Sequence, residues 1–262
     1  PRPMLGRLPE SKSLMVNKGF KNEGAQAVVD KLTDLSFSIP LGISLGRTNS
    51  RELVTQRESV KDIIEAFNIF EKSPLAHVYY ELNISCPNLF GNVSFYPLKN
   101  LRELLREIDK LHLKRPVFVK MTIEKSDRET REMLDVICDH SPRGVIFGNL
   151  QKNRKDPSLI PAEVSRFPVG FFSGKPTFKR SNELVRLAYR HYHKRLVVIG
   201  CGGIFSGTDA YEKICLGASL VQLITGMIFE GPQLISDINF QLEELLKRDG
   251  FGHLSDAVGS KN

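Results

Sequence analysis

Short apolar segments alternate with amphipathic segments along most of this chain of 262 residues. Such alternation predicts parallel strands that are buried on both faces and joined by helices. Stripes at helical spacing, such as Val60, Ile63, Ile64 and Phe67, predict the helices. The predicted strands are 40–45, 77–84, 116–121, 144–147, 196–200 and 220–225. Segment 152–176 contains four prolines and no helical period, which predicts a long functional loop or a small hairpin.

Composition limits the class of protein. Hydrophobic residues make up 41% of the chain, and we expect residues 1–262 to form one domain. The apolar runs are strand-sized, well short of the about 20 residues that cross a bilayer. The four cysteines form no CxxC pair, so we predict neither a metal site nor disulfides, which agrees with a cytoplasmic location. The net charge of +7 is scattered among acidic residues, which favours a solvated basic surface over nucleic-acid binding.

Two glycine-containing turns follow consecutive predicted strands. Gly202 and Gly203 follow the first of these strands, and Gly226 follows Ile224 and Thr225 at the end of the second. Glycines let the backbone approach a phosphate closely, and successive N–H groups supply the hydrogen-bond donors. Many (β/α)8 barrels build a phosphate site after their last two strands. Six strands are two short of such a barrel, and strand number alone leaves a doubly wound open sheet as an alternative.

Polar residues also follow the other predicted strands. Asn83 and Asn88 offer amide groups suited to a planar, amide-bearing ligand, and Cys86 between them is a candidate base through its thiolate. Lys120 ends an apolar strand, where its charge would lie near an electron-rich cofactor ring, and Asn149 follows the next strand. The alternative is structural: a buried inert thiol at Cys86 and a lysine that reaches solvent at position 120.

Motifs in a fixed order connect these residues to a known family. They are NKGFKNEG (17–24), PLGISLG (40–46), ELNISCPN (81–88), VFVKM (117–121), GVIFGN (144–149), FSGKP (172–176), VIGCGGIFS (198–206) and GASLVQLITGMIFEGP (217–232). Together they resemble the dihydroorotate dehydrogenase family over nearly the whole chain. The resemblance implies a (β/α)8 TIM barrel that oxidises dihydroorotate to orotate with hydride transfer to FMN, in the biosynthesis of UMP.

The resemblance also implies roles for individual residues. Cys86 matches the base that takes a proton from C5 of dihydroorotate, and Lys120 matches the lysine near the flavin. The residues expected to bind the cofactor are Ser44, Asn83, Lys120, Gly148, Gly174, Gly202, Gly203, Ile224 and Thr225. The residues expected to bind the substrate are Asn17, Gly19, Phe20, Asn88 and Asn149.

The chain also departs from the family pattern. Val16 takes the place of a substrate asparagine, Ser44 that of a flavin-binding asparagine, and Gly148 and Leu150 replace polar residues around Asn149. We expect six of the eight barrel strands here, with the first two and their substrate-binding lysine lying before Pro1, so activity of the chain alone is open.

The electron acceptor is undecided between quinone and fumarate. The opening PRPMLGRLPE resembles the quinone-linked, membrane-associated branch, whereas Cys86 resembles the soluble branch. A peripheral site on the cytoplasmic face of a membrane is therefore an alternative location. The alternative functions are an FMN-dependent tRNA dihydrouridine synthase, whose cysteine loop usually reads GCP rather than SCPN, and a catalytically inactive barrel fragment.

Overall fold

The computed structural model describes residues 3–86 and 93–262. The chain divides into two compact units. The first unit comprises Pro1–Asn17, Met121–Asp127 and Val145–Asn262, and the second comprises Lys18–Lys120 and Arg128–Gly144. The single domain expected for residues 1–262 stays a prediction.

Strands and helices alternate along the described ranges. The strands are β1 (Leu5–Leu8), β2 (Ser13–Val16), β3 (Leu41–Leu45), β4 (His77–Asn83), β5 (Val117–Met121), β6 (Gly144–Phe147), β7 (Phe171–Gly174), β8 (Val197–Cys201) and β9 (Leu220–Gln222). The helices are α1 (Ala25–Leu32), α2 (Gln56–Lys72), α3 (Leu98–Asp109), α4 (Asp127–Cys138), α5 (Pro161–Ser165), α6 (Phe178–Tyr192), α7 (Gly207–Cys215), α8 (Thr225–Glu230), α9 (Leu234–Asp249) and α10 (Leu254–Ala257). None of the helices in these ranges has the length and apolar character needed to cross a membrane.

The predicted α/β class is confirmed. Within the described ranges, one sheet has six strands in the order β3-β4-β5-β6-β8-β9. The pairs β3–β4, β4–β5 and β8–β9 are parallel. The order follows the chain, with β3 and β9 at its two ends, as expected for consecutive strands of an incomplete (β/α)8 barrel.

The last predicted strand was too long. β9 ends at Gln222, and Thr225 begins α8 rather than ending a strand. Leu223 packs against the apolar cluster formed by α7 and α9. The apolar run therefore continues past the strand because it serves helix packing instead of strand pairing.

A second sheet, in the first unit, was not predicted. β1 and β2 form an antiparallel pair, and β7 pairs antiparallel with β2, with Ser13 opposite Gly174. Segment 152–176 thus contributes α5 and a strand, where the sequence predicted a loop or a small hairpin. The apolar side chains beneath this sheet are Leu8, Met15, Leu159, Val164 and Phe172.

A buried carboxylate fixes the turn between β1 and β2. Glu163 of α5 is 6% exposed and accepts hydrogen bonds from the backbone N–H groups of Glu10 and Ser11 and from Ser11 Oγ. Burial raises the pKa of Glu163, but the hydrogen bonds from Ser11 and Glu10 outweigh it, and the net effect lowers that pKa.

A buried amine supports the ends of β6 and β8. Lys213 of α7 is fully buried, and its Nζ donates to Ser181 Oγ at 3.0 Å and to Asn182 Oδ1 at 2.7 Å. Ser181 Oγ lies 3.0 Å from the carbonyl oxygen of Phe147 and 2.7 Å from that of Cys201. Lys213 therefore orients the hydroxyl that ties the last residues of both strands to α6.

A partly buried ion pair lies in the second unit, near the start of β4. Arg115 NH1 contacts Glu71 Oε1 at 3.0 Å, and Tyr80 Oη donates to the same oxygen at 2.7 Å. Burial, reinforced by Glu71, raises the pKa of Tyr80. This cluster holds α2 against β4 at the amino end of the strand.

Glu163→Ala tests the anchor of the β1–β2 turn. Loss of hydrogen bonds to a charged acceptor should lower the free energy of unfolding by about 2 kcal/mol near pH 7. Because the folded pKa is lowered, the contribution of Glu163 exists above its unfolded pKa of about 4.3 and disappears as pH falls through the folded value. Urea denaturation of the two proteins across acidic pH measures the difference.

The exposed Glu10 supplies the matched control, since Glu10→Ala keeps the backbone N–H that bonds to Glu163. Its unfolding free energy should stay within about 0.5 kcal/mol of the parent. Equal losses in the two variants would contradict the anchoring role.

Lys213→Met tests the buried amine. Burial lowers the pKa of Lys213 to about 8, whereas an unfolded lysine titrates near about 10.4. The unfolded state therefore binds more protons between these values, so the parent should gain unfolding free energy relative to Lys213→Met as pH rises through this window. Denaturation curves at several alkaline pH values measure the gain. In Lys179→Met, at an exposed lysine of α6, the unfolding free energy should change with pH as it does in the parent. The same pH dependence in Lys213→Met would refute the lowered pKa of Lys213.

Candidate active site

The register of three strands in the second unit places polar side chains side by side. Ser44 of β3 lies opposite Glu81 of β4, and Asn83 of β4 lies opposite Lys120 of β5. Tyr80 packs edge-on against Phe67 of α2 at a centroid distance of 5.0 Å, so it faces the helices. Because strand residues alternate, Tyr79, Glu81 and Asn83 of β4 face the other side.

On this face, an aromatic layer precedes the polar residues along the strands. Tyr79 and Phe118 pack edge-to-face with their centroids 5.8 Å apart. A Cβ added at Gly42 would lie 2.0 Å from Tyr79 Cζ, so the ring of Tyr79 occupies the space beside β3. The polar residues therefore follow an aromatic layer, toward the carboxyl ends of the strands, where barrel enzymes keep their catalytic groups.

Glu81 links the polar residues. Its side chain is 8% exposed and that of Lys120 is 20% exposed. Lys120 Nζ lies 3.3 Å from Oε1 and 3.4 Å from Oε2 of Glu81, and Ser44 Oγ donates to Oε1 at 2.8 Å. Two residues predicted to bind the cofactor are thus held by one buried carboxylate.

A hydrogen-bonded turn follows β4. Asn83 Oδ1 accepts from the backbone N–H of Ser85 at 3.2 Å and from its hydroxyl at 2.9 Å. Tyr96 Oη donates to the carbonyl oxygen of Ser85 at 3.2 Å. These bonds fix the backbone immediately before Cys86, which is partly buried. Asn88, the other asparagine of the motif, lies outside the described residues.

A buried cation lies near Cys86. Arg47 follows β3, is 2% exposed, and donates through NH1 to the carbonyl oxygen of Leu53 at 3.0 Å. Burial lowers the pKa of Arg47, while electrostatic attraction to Asp62 and Cys86 opposes that shift. Electrostatic attraction therefore couples the Arg47 guanidinium to Cys86.

The predicted substrate residues near position 20 are divided between the units. A Cβ at Gly46 would lie 2.7 Å from the ring of Phe20 and 3.1 Å from the carbonyl oxygen of Asn83. Phe20 therefore packs beside the end of β4, and Gly19 before it adopts a φ of 65°. Asn17 belongs to the first unit, where its backbone N–H donates to the carbonyl oxygen of Met4 at 2.8 Å.

The predicted phosphate-binding glycines come together in the first unit. Gly174, Gly202 and Gly203 have φ values of 86°, 103° and 75°, a region that disfavours other residues. Thr177 joins two of the turns, because its Oγ1 donates to the carbonyl oxygen of Gly174 at 2.8 Å and would lie 2.3 Å from a Cβ at Gly202. A Cβ at Gly203 would lie 2.5 Å from Phe178 Cβ. The chain's own packing thus requires glycine at positions 202 and 203.

Hydroxyl groups lie beside these turns. Ser173 Oγ and Thr225 Oγ1 are 2.8 Å apart, and a Cβ at Gly174 would lie 2.9 Å from Thr225 Cγ2. Ile224 precedes Thr225 and is 57% exposed. A Cβ at Gly226 would lie 2.1 Å from the carbonyl oxygen of Ile204, so the start of α8 packs directly on the turn after β8.

An ion pair braces the same turns. Lys175 Nζ donates to Asp209 Oδ1 at 2.7 Å, while Asp209 Oδ2 accepts from the backbone N–H of Phe205 at 2.9 Å. The segment after β7 is thereby tied to the segment after β8.

Gly148 and Asn149 follow β6. A Cβ at Gly148 would lie 2.4 Å from the carbonyl oxygen of Cys201, so this glycine allows β6 and β8 to approach each other. Asn149 is partly buried. The departure from the family at position 148 thus has a structural reason within the first unit.

The sequence missed several residues that organise these groups. No function was predicted for Glu81, Arg47, Lys175 or Lys213. Glu81 nevertheless lies within the motif that contains Asn83 and Cys86. A carboxylate in an otherwise apolar strand was the available signal, because a buried charge requires a partner.

Comparisons with known proteins agree with these motifs. The family model described as dihydroorotate dehydrogenase matches residues 1–246. A dihydroorotate dehydrogenase (quinone) of Trichodesmium erythraeum is 30% identical over 270 residues, which cover 100% of this chain and 70% of that protein. The enzyme of the same name from Mycolicibacterium smegmatis is 34% identical over 260 residues, covering 99% of this chain and 71% of that protein.

Solved structures show a similar fold. DHODH from Eimeria tenella in complex with ferulenol superposes with a TM-score of 0.86 at 24% identity, over 100% of this chain and 75% of that one. The ligand-free form gives the same TM-score at 23% identity and 77% coverage of that chain. The chain therefore belongs to the dihydroorotate dehydrogenase family, the flavin-dependent oxidoreductases that oxidise dihydroorotate to orotate in pyrimidine biosynthesis.

Proposed function

We propose that Cys86 is the base in the oxidation of dihydroorotate by this chain and that FMN is its flavin. The observation that supports this most is the turn after β4, in which Asn83 fixes Ser85 directly before Cys86. The proton leaves C5 of dihydroorotate for the Cys86 sulfur. A bound flavin would supply the acceptor for the hydride that leaves C6.

The first unit has the donors that suit a phosphate. Backbone turns at Gly174, Gly202 and Gly203 lie close to the hydroxyls of Ser173 and Thr225. Backbone N–H groups and hydroxyls are the usual partners of phosphate oxygens. We assign the phosphate of FMN to this group, with Gly148 and Ile224 as its neighbours. A side chain at Gly202 would lie 2.3 Å from Thr177 Oγ1 and would therefore disturb the turns themselves.

The second unit has the residues that suit the flavin ring system. Asn83 carries an amide, Ser44 a hydroxyl, and Lys120 a cation, all at the ends of neighbouring strands. A cation beside the ring favours its reduced, more negative form. We assign Ser44, Asn83 and Lys120 to the ring on this basis.

Arg47 supports the role of Cys86. A thiol in water has a pKa of about 8.5, so a base that works near neutral pH needs help to ionise. The buried Arg47 guanidinium attracts a negative charge at Cys86. Its positive charge favours proton transfer to the sulfur.

The substrate residues are assigned by family position. They are Asn17, Gly19, Phe20, Asn88 and Asn149. Asparagine amides match the hydrogen-bonding groups of a pyrimidine and of its carboxylate. Phe20 beside the carbonyl oxygen of Asn83 gives this set a contact with the end of β4.

We propose a quinone as the electron acceptor. The relatives from Trichodesmium erythraeum and Mycolicibacterium smegmatis both carry quinone in their names. A lipid-soluble acceptor would require the protein to work at a membrane surface. A comparison of ubiquinone and fumarate as oxidants of the reduced protein separates the two possibilities.

Cys86→Ala tests the base. The variant should retain FMN and bind orotate, but its flavin should be reduced by dihydroorotate at least ~100-fold more slowly, the low end of a general-base contribution. Cys86→Ser should keep part of the rate and shift its pH dependence upward, because a hydroxyl is a poorer acid. Anaerobic stopped-flow absorbance across pH measures these rates.

Cys138→Ala provides the control, since Cys138 is another partly buried thiol of the second unit, at the end of α4. It should reduce its flavin at the parental rate. A parental rate for Cys86→Ala would mean that Cys86 only packs.

A further inference from the structure

The proposed flavin lysine is already paired with a buried carboxylate. Lys120 Nζ lies within 3.4 Å of both oxygens of Glu81, whose side chain is 8% exposed. Ser44 Oγ donates to Oε1 of the same carboxylate at 2.8 Å. Two of the three residues that we assign to the ring thus bind Glu81 as well.

We propose that Glu81 is a positioning residue that holds Lys120 at the ends of the strands and offsets its charge, so that it sets the reduction potential of the flavin. This inference rests on the proposed function, which places Lys120 beside the ring. Glu81 acts through Lys120 and takes no proton or hydride itself.

The geometry gives Glu81 two effects. A lysine has a long, flexible side chain, and contact with both carboxylate oxygens restricts where its ammonium group can lie. The carboxylate also contributes an opposite charge within the same partly buried layer, where charges are screened less than in water. The Glu81–Lys120 pair is therefore close to neutral, and the ring experiences less positive potential than a lone lysine would provide.

Removal of each charge in single and double variants separates this role from a general loss of structure. Glu81→Gln removes the negative charge that contacts Lys120, so the reduction equilibrium of the flavin should shift at least ~10-fold toward the reduced form, about +30 mV for two electrons. Lys120→Met should shift it in the opposite direction. The double variant restores a neutral pair and should return to within about threefold of the parent, or about 15 mV. Potentials are measured by anaerobic titration against reference dyes.

A matched control uses a second, partly buried ion pair of the second unit. Glu71 contacts Arg115 at 3.0 Å near the amino end of β4. Glu71→Gln removes the same charge from a similar pair, away from the strand ends, and should leave the potential unchanged. Glu81→Asp keeps the charge and should lie closer to the parent than Glu81→Gln.

A second readout needs no flavin. Acetylation of Lys120 by acetic anhydride, followed by peptide mass spectrometry of the apoprotein, should be about tenfold faster in Glu81→Gln, because loss of a nearby opposite charge increases the neutral fraction of a lysine. Glu71→Gln should label Lys120 at the parental rate. Lys213 is fully buried and serves as the internal check, since its labelling would rise only if the fold opened.

The outcomes distinguish the two proposals. If the flavin of Lys120→Met has the parental reduction potential, the assignment of Lys120 to the flavin is overturned, and this inference with it. A potential that responds to Lys120→Met but not to Glu81→Gln would overturn the inference alone. Parental labelling of Lys120 in Glu81→Gln, or a double variant whose potential lies as far from that of the parent as either single variant does, would also overturn it.

Discussion

The register of three parallel strands is the constraint on which the candidate site depends. Pairing of Ser44 with Glu81 and of Asn83 with Lys120 brings residues that are far apart in sequence to one level of the sheet. A shift of one residue would turn every one of these side chains toward the helices. Tyr79 and Phe118 pack edge-to-face on the same side of the sheet, closer to the amino ends of the strands, and a shift in register would break this contact.

Close backbone packing plays the corresponding part in the first unit. Positive φ angles at Gly174, Gly202 and Gly203 allow the loops after β7 and β8 to meet, and Thr177 contacts both loops. The loops are supported by the hydrogen bond from the buried Lys213 to Ser181 and by the Lys175–Asp209 pair. Glycine is needed at these positions by the fold itself, so a loss of cofactor in a glycine variant would not by itself identify a phosphate contact.

Much of this architecture could be predicted from sequence, because buried parallel strands and amphipathic helices leave local patterns. The strand at 144–147 was predicted with its observed bounds, and the predicted strand at 77–84 exceeds β4 by one residue. The β1–β2–β7 sheet could not be predicted, since its strands have four residues each and pair Ser13 with the distant Gly174. The candidate bases and ligands were recognised as motifs, but Glu81 was overlooked because its partner lies 39 residues away, and no local pattern pairs the two.

The central claim is that the second unit carries the chemistry of dihydroorotate oxidation at the ends of β3, β4 and β5. The most direct test is an anaerobic titration of the flavin-loaded protein with dihydroorotate, followed by flavin absorbance and by chromatography of the product. The account predicts loss of the oxidised flavin band with one equivalent of orotate formed per flavin. A protein that retains its flavin but shows neither bleaching nor orotate would contradict it.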